Sequence, residues 1–240
     1  MNPTVLYFHH IGSGIDHYTS VARDVFERML DCVQAAGEIV DLADVLAETS
    51  AQDGSNRRFV LTFDDGYADV FGDVVEGLHK RGIPATFFVV PSWVGSRAPH
   101  PWAPDDLRCA DADELREAQR LGFGIASHTW SHARLDLCSS DEVSAQLDRS
   151  AEWLNAEGLG ASLEGVVAYP YGRAPAAPAT RLRAAFGTGR KPVACWRCRR
   201  YDISRVYLAA DDEQNWKERI DGWFRAGLDA RRQCDRADHW

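Results

Sequence analysis

Phe59-Val60-Leu61-Thr62-Phe63-Asp64-Asp65-Gly66 is an apolar, strand-forming run that stops at two carboxylates and a glycine. Apolar continuity without polar alternation marks a strand buried on both faces, as in a parallel sheet covered by helices. Val5–Phe8, Ala85–Val90, Phe123–Ala126, Val166–Tyr169 and Ile203–Leu208 read the same way. Helical stripes lie between them: Val21, Val25, Met29 and Val33; Val70, Val74 and Leu78; Val143, Leu147, Ala151 and Leu154; and Trp216, Ile220, Phe224 and Leu228. Ser139 with Glu142 three residues on forms a capping box, and Gly82 is placed to stop the second stripe.

Strands alternating with helices imply parallel βαβ units. Polar residues then fall just past the ends of several different strands: His9 and His10 after the first, Asp64 and Asp65 after the second, His128 after the fourth, Tyr171 after the fifth. A barrel builds its site in this way, whereas an open sheet gathers its ligand at one switch point, often beside a glycine-rich turn that this sequence lacks. The expected class is therefore α/β, a barrel forming one domain over residues 1–240.

With 27 Lys and Arg against 36 Asp and Glu, the formal charge is −9, which argues against nucleic acid or anionic lipid as a partner. A hydrophobic share of 45% fits a folded globular chain. No apolar run approaches the roughly 20 residues of a membrane span. Met1–His10 has neither the basic nor the apolar region of a secretory signal, so the expected location is cytoplasmic, with reduced cysteines. Cys195 and Cys198 make the one close cysteine pair, short of the four ligands of a structural zinc site.

Three constellations carry chemistry. After the run quoted above, Gly66 permits a sharp turn, so Asp64 and Asp65 diverge: one can hold a cation while the other stays near whatever that cation binds. In Ser127-His128-Thr129-Trp130-Ser131-His132 the histidines stand at i and i+4, which on one helical turn puts both imidazoles on one face. With Asp65 they form a two-histidine, one-carboxylate set that leaves coordination positions open, as a catalytic metal needs. In Ala168-Tyr169-Pro170-Tyr171-Gly172 the proline fixes a turn, Gly172 lets backbone approach a ligand, and the Tyr171 amide becomes a candidate oxyanion donor.

These motifs, in this order and spacing from about Val5 to Leu208, resemble the polysaccharide deacetylases, carbohydrate esterase family four. The resemblance implies a distorted, incomplete, TIM-like barrel of about seven strands and one divalent metal ion. Zinc is the first choice, with cobalt, manganese, nickel or iron as other occupants. It implies Asp64 as general base, Asp65, His128 and His132 as metal ligands, and the Tyr171 amide as oxyanion donor. Two features depart from the common pattern. Many members have an arginine where this chain has Ala168; Arg205, on the last expected strand, is the candidate base partner instead. Many also take a catalytic histidine from a late Leu-x-His motif, and the tail here offers only His239. Leu6-Tyr7-Phe8-His9-His10-Ile11 is similar to the N-terminal Tyr-His motif of a permuted subgroup, which makes His9 the candidate acid and His10 its rival. Strand alternation lets only one of the two face the barrel centre.

The resemblance implies metal-dependent hydrolysis of an N-acetyl or similar small acyl amide on an amino sugar or glycoconjugate, releasing acetate. Trp93, Trp102 and Trp130 are candidates to stack on sugar faces. A same-fold hydrolase of a non-sugar C–N bond, a formamide or ureide, is one alternative. A sugar-binding module without catalysis is another, although the base and all three ligand positions are filled.

Overall fold

The computed structural model describes residues 2–12, 15, 17–48, 56–100, 103–177, 181–189, 196 and 198–237, with backbone alone from residue 228 onward. Seven parallel strands run in chain order around a ring: β1 (Thr4–Phe8), β2 (Arg58–Phe63), β3 (Thr86–Val89), β4 (Gly124–Ser127), β5 (Val166–Ala168), β6 (Ala184–Thr188) and β7 (Ile203–Arg205). Val206, just past β7, closes the ring against β1: its N–H donates to Val5 O at 2.9 Å, and Tyr7 N–H donates to Val206 O at 3.1 Å. The result is a distorted (β/α) barrel one strand short of eight. A short strand at Glu38–Ile39 pairs with the start of β2.

Alternation along the strands builds two cores. Val5, Val60, Phe88, Ala126, Ala168, Phe186 and Ile203 form the buried interior layer, with Leu42 and Val45 of α2 (Leu42–Ala47) packed against it. The opposite faces carry Leu6, Phe8, Leu61, Phe63, Phe87 and Ile125 into a second core. That core also takes Met29 and Val33 of α1 (Arg23–Ala36), Leu78 of α3 (Val75–Lys80), Leu115 of α4 (Ala112–Arg120), Leu154 of α5 (Ser140–Ala156) and Ile220 of α6 (Trp216–Ala237). Capping boxes begin α4 at Asp111–Glu114 and α5 at Ser139–Glu142, and Gly82, at φ +62°, follows the end of α3.

Several local expectations shift. β6 goes unread in the sequence because Ala184-Ala185-Phe186-Gly187-Thr188 has no β-branched run, yet it is buried between β5 and β7. Val21 lies in a two-residue strand before α1, and Phe26 and Leu30 join Met29 and Val33 on the buried face. Gly72, at φ −93° and ψ −116°, breaks the Val70–Leu78 stripe into a widened turn followed by α3, although Val70, Val74 and Leu78 all stay buried. In α5 the buried stripe passes through Ser150 while Ala151 is exposed, because Ser150 Oγ sits 2.7 Å from Ser127 Oγ of β4. In α6, Trp223 is more buried than Phe224. Trp102, Cys195 and His239 lie outside the described residues, as do the side chains of Leu228 and Cys234.

Candidate active site

The inward parity of each strand continues past its end. Val60, Thr62 and Asp64 point in sequence toward the barrel axis, as do Val5, Tyr7 and His9, and Ile203 and Arg205. The apolar interior layer thus passes into a polar one as the strands reach their C-terminal rim. There His9, Asp64, Asp65, His128, His132 and Tyr171 line one cavity of about 300 Å³.

Asp64 is buried and held by Arg205, whose side chain has no accessible surface. Arg205 Nη1 and Nη2 donate to the two carboxylate oxygens at 2.6 and 2.7 Å, the bidentate geometry of a strong charge-assisted pair. Arg205 Nε donates to Gly187 O at 3.3 Å, and the guanidinium lies between the Tyr7 and Phe88 rings, 5.3 Å from each centroid. Burial works to raise the Asp64 pKa, but Arg205 first and His128 next outweigh it, so the carboxyl stays well below the usual range.

Asp65 follows directly and meets the opposite balance. Its φ is +70°, and Gly66 follows at +77°, so the chain turns sharply and the two carboxylates separate. Burial, then the charge of Asp64, pushes the Asp65 pKa up to about 7. Its Oδ1 is buried without a hydrogen-bond partner and faces His128 Nε2 at 3.5 Å and His132 Nε2 at 3.4 Å. The donor atoms of Asp65, His128 and His132 all lie within 4.8 Å of one another. His128 Nδ1 sits 2.8 Å from Ala168 O; donation to that carbonyl fixes the tautomer and leaves Nε2 as the lone-pair nitrogen aimed at the cluster. Burial lowers the pKa of both histidines, favouring the neutral, ligating form. A divalent cation fits this set: an orphaned buried oxygen and two neutral imidazoles converge on one point.

The two histidines do not share a helix as the i, i+4 spacing suggested. They stand on the loop after β4, where Thr129 and His132 adopt φ of +67° and +57°, values no α-helix contains. The imidazoles still meet, with centroids 4.9 Å apart. Gly172 also departs from its expected use. A Cβ there would overlap Thr188 Oγ1, so the close approach it permits is to β6. Tyr171 takes φ +58° on the turn, and its ring lies 4.8 Å from that of His132.

His9 and His10 separate as alternation requires. His9 lines the cavity with Nε2 4.0 Å from Asp64 Oδ2. His10 turns away and is buried with Nδ1 2.6 Å from Asp69 Oδ2. Burial, chiefly, pushes the His9 pKa down to about 4; His128 and Arg205 add to this and the Asp64 charge opposes it. Trp93 lies tilted against His132 with centroids 4.9 Å apart, while the guanidinium of Arg149 lies over the Trp130 ring, 4.4 Å from its centroid.

His17, Tyr18, Thr19, His100 and Thr188 also line the cavity and went unremarked in the sequence; Tyr7 lines it too and reads there only as part of the motif around His9. Most belong to loops following barrel strands, so the rule that a barrel's site grows from those loops was the signal that could have found them. His100 Nε2 lies 4.0 Å from Asp65 Oδ2.

The profile of the family described as "Polysaccharide deacetylase" matches residues 51–186, more than half of the 240-residue chain. The chain belongs to the polysaccharide deacetylase family. Among curated proteins it is similar to YxkH of Bacillus subtilis, 23% identical over 171 residues covering 70% of this chain and 56% of YxkH. A chitooligosaccharide deacetylase of Rhizobium leguminosarum is 30% identical over 98 residues, 40% of this chain and 39% of that protein. The chain thus matches little more than half the length of one relative and less of the other. Among solved structures, the fold resembles the Streptococcus pyogenes deacetylase PplD in complex with acetate at a TM-score of 0.75, with 18% identity over 92% of this chain and 98% of that one. IcaB from Ammonifex degensii gives 0.68, with 19% identity over 93% and 97%. No helix among the described residues is long and apolar enough to cross a membrane.

Proposed function

We propose that this polysaccharide deacetylase family chain, a single barrel domain over residues 1–240, hydrolyses an N-acetyl or similar small acyl amide on an amino sugar or glycoconjugate, releasing acetate. The observation that carries the reading is the junction of two unlike clusters on one rim. The Asp65, His128 and His132 donors, within 4.8 Å of one another, stand beside an Asp64 carboxylate clamped by Arg205.

A divalent ion held by Asp65, His128 and His132, zinc on this donor set, supplies Lewis acidity that polarises the acyl oxygen and acidifies water. Asp64 is the general base: it takes a proton from water as the water oxygen adds to the acyl carbon. Arg205 keeps that carboxylate ionised and fixes both its oxygens, leaving it in one orientation. The Tyr171 N–H donates to the oxyanion. His9 delivers a proton to the amine nitrogen, the C–N bond breaks, and acetate and a free amino sugar leave. His9 is neutral at rest, so the proton it delivers is the one Asp64 has taken, relayed by one water because the 4.0 Å between them is beyond direct hydrogen-bond reach.

The test is a screen of N-acetylated sugars and glycoconjugates with metal-reconstituted protein, detecting released acetate. Formate or ammonia from formamides or ureides, with no acetate, would move the substrate to another C–N bond. Full metal loading without turnover of any amide would leave a binding module.

A further inference from the structure

Outside the cavity lining, His10 and Asp69 form a polar pair that no step of the proposed chemistry uses. His10 Nδ1 lies 2.6 Å from Asp69 Oδ2, and the same oxygen accepts a hydrogen bond from the Ile11 N–H at 2.8 Å. Two lone pairs cannot stand so close, so a proton lies on Nδ1. One carboxylate oxygen thus grips the side chain of His10 and the backbone of Ile11 together. We infer that His10 and Asp69 are positioning residues for His9: their contact sets how far the His9 imidazole stands from Asp64.

The inference rests on the role proposed above for His9 and follows from how the chain is tied down on either side of it. Just before His9, Phe8 O accepts from the Asp64 N–H at 2.9 Å. Just after it, Asp69 holds His10 and Ile11. Both anchors come from the stretch that leaves β2, Asp64 to Asp69, and the first residue of that stretch is the proposed base. His9 is therefore located relative to Asp64 from both sides. His10 and Ile11 also pair with Ser20 and Val21, but that pairing ties the segment to the approach of α1 and fixes no distance to Asp64.

The His10 ring has little room to choose another place. It is buried, and it meets the Tyr67 ring edge-on, with centroids 6.5 Å apart at 87°. Gly12 packs so near that a Cβ there would lie 2.8 Å from His10 Cε1. A largely buried pair of this kind adds little net stability over apolar packing of the same volume, but it fixes one arrangement of the two loops. That arrangement matters because His9 Nε2 stands 4.0 Å from Asp64 Oδ2, a gap that one water can bridge. Misplacing a reacting group by about 1 Å can cost on the order of 10² in rate. Loss of the grip on Ile11 and His10 frees the residue next to His9 to drift by that much.

The experiment measures Asp69→Ala, His10→Ala and Asp69→Asn as metal-loaded proteins on two substrates: the N-acetylglucosamine trimer, and para-nitrophenyl acetate, whose leaving group needs little protonation. Each alanine variant should lower kcat for the trimer by about 10–10²-fold, with KM and bound metal nearly unchanged and the ester slowed far less. Asp69→Asn keeps an oxygen for both donors and should restore kcat close to wild type. The deciding measurement is made in the His9→Ala background, where adding Asp69→Ala should slow the trimer no further, because the residue it positions is already gone. His10→Ala leaves Asp69 on the Ile11 amide, so it carries the same measurements should Asp69→Ala not fold. A further loss of the same size in the His9→Ala background, equal losses on both substrates, or an unchanged trimer kcat in folded alanine variants would overturn the positioning role. A His9→Ala variant that slows trimer and ester alike would instead remove the role proposed for His9. A wild-type protein that cleaves the ester and no N-acetylated sugar would sink the proposed function.

Discussion

Asp64 and Asp65 are neighbours in the chain and opposites in the fold. On the side where the barrel closes, Asp64 meets a fully buried guanidinium with two hydrogen bonds, and its charge is balanced within the protein. On the side of the loop after β4, Asp65 meets two imidazoles that burial keeps neutral, and one of its oxygens is orphaned. The pKa directions record the same contrast: Asp64 well below the ordinary range, Asp65 up to about 7. One half of the rim is electrostatically complete as folded, while the other lacks a positive charge. A buried carboxylate among neutral imidazoles is stable only if a proton or a cation joins it. That deficit, more than the residue types, makes the trio a candidate metal centre.

The largest effect should come from the incomplete half. His128→Ala or His132→Ala removes one of three donors, and metal content measured after dialysis should fall to background, with acetate release lost alongside. Stoichiometric metal retained by the double variant would break the comparison, because the deficit would then be filled elsewhere. Asp64→Asn attacks the complete half and should separate the two functions. Metal should be retained while turnover falls by about 10²–10⁴-fold, the usual worth of a general base. If the variant lost its metal, the roles of the two aspartates would have to be exchanged.

Arg205 tests the pairing itself. Arg205→Met leaves the Asp64 charge buried and unpaired, and removing one member of a buried pair costs about 3–5 kcal/mol, readable as a lower midpoint in urea. The added methionine does not repair the charge, so the loss should shrink when Asp64→Asn is combined with it. A double variant as unstable as the sum of its parts would mean that the guanidinium acts mainly by packing between Tyr7 and Phe88.

Much of this was legible before any coordinates, for reasons that differ from residue to residue. β2 was readable because Phe59–Phe63 is apolar on both faces, and the inward parity that puts Asp64 at the axis follows from it. The same parity separates His9 from His10, but only once the strand register is known: a shift of one residue would have exchanged them. The contact of Arg205 with Asp64 joins positions 141 residues apart and depends on closure of the ring by Val206, which no local pattern encodes. β6 was silent because small residues and a glycine carry no strand signal; the neighbours on either side make it a strand. The helical reading of His128–His132 failed because spacing alone cannot reveal two left-handed residues in the loop.

The smallest expected effect is the one that bears most directly on His9. A free histidine acting as a resident acid would give a rate that falls on the alkaline side near its reference pKa of about 6.5. Burial first, with His128 and Arg205 adding to it against the pull of Asp64, moves His9 the other way, to about 4. The sign is clear: the charged form is disfavoured in the folded protein, so near neutrality the imidazole carries no proton before the reaction begins. A divalent ion in the adjoining cluster adds positive charge and pushes in the same direction. If the proton comes instead from Asp64 during turnover, kcat on an amide should stay flat between pH 6 and 8. His9→Ala should nonetheless slow the amide far more than an activated ester, whose leaving group needs little protonation. A fall in kcat centred near pH 6.5, absent in His9→Ala, would show that the imidazole enters the cycle already charged, and the passage of the proton from Asp64 would have to be abandoned.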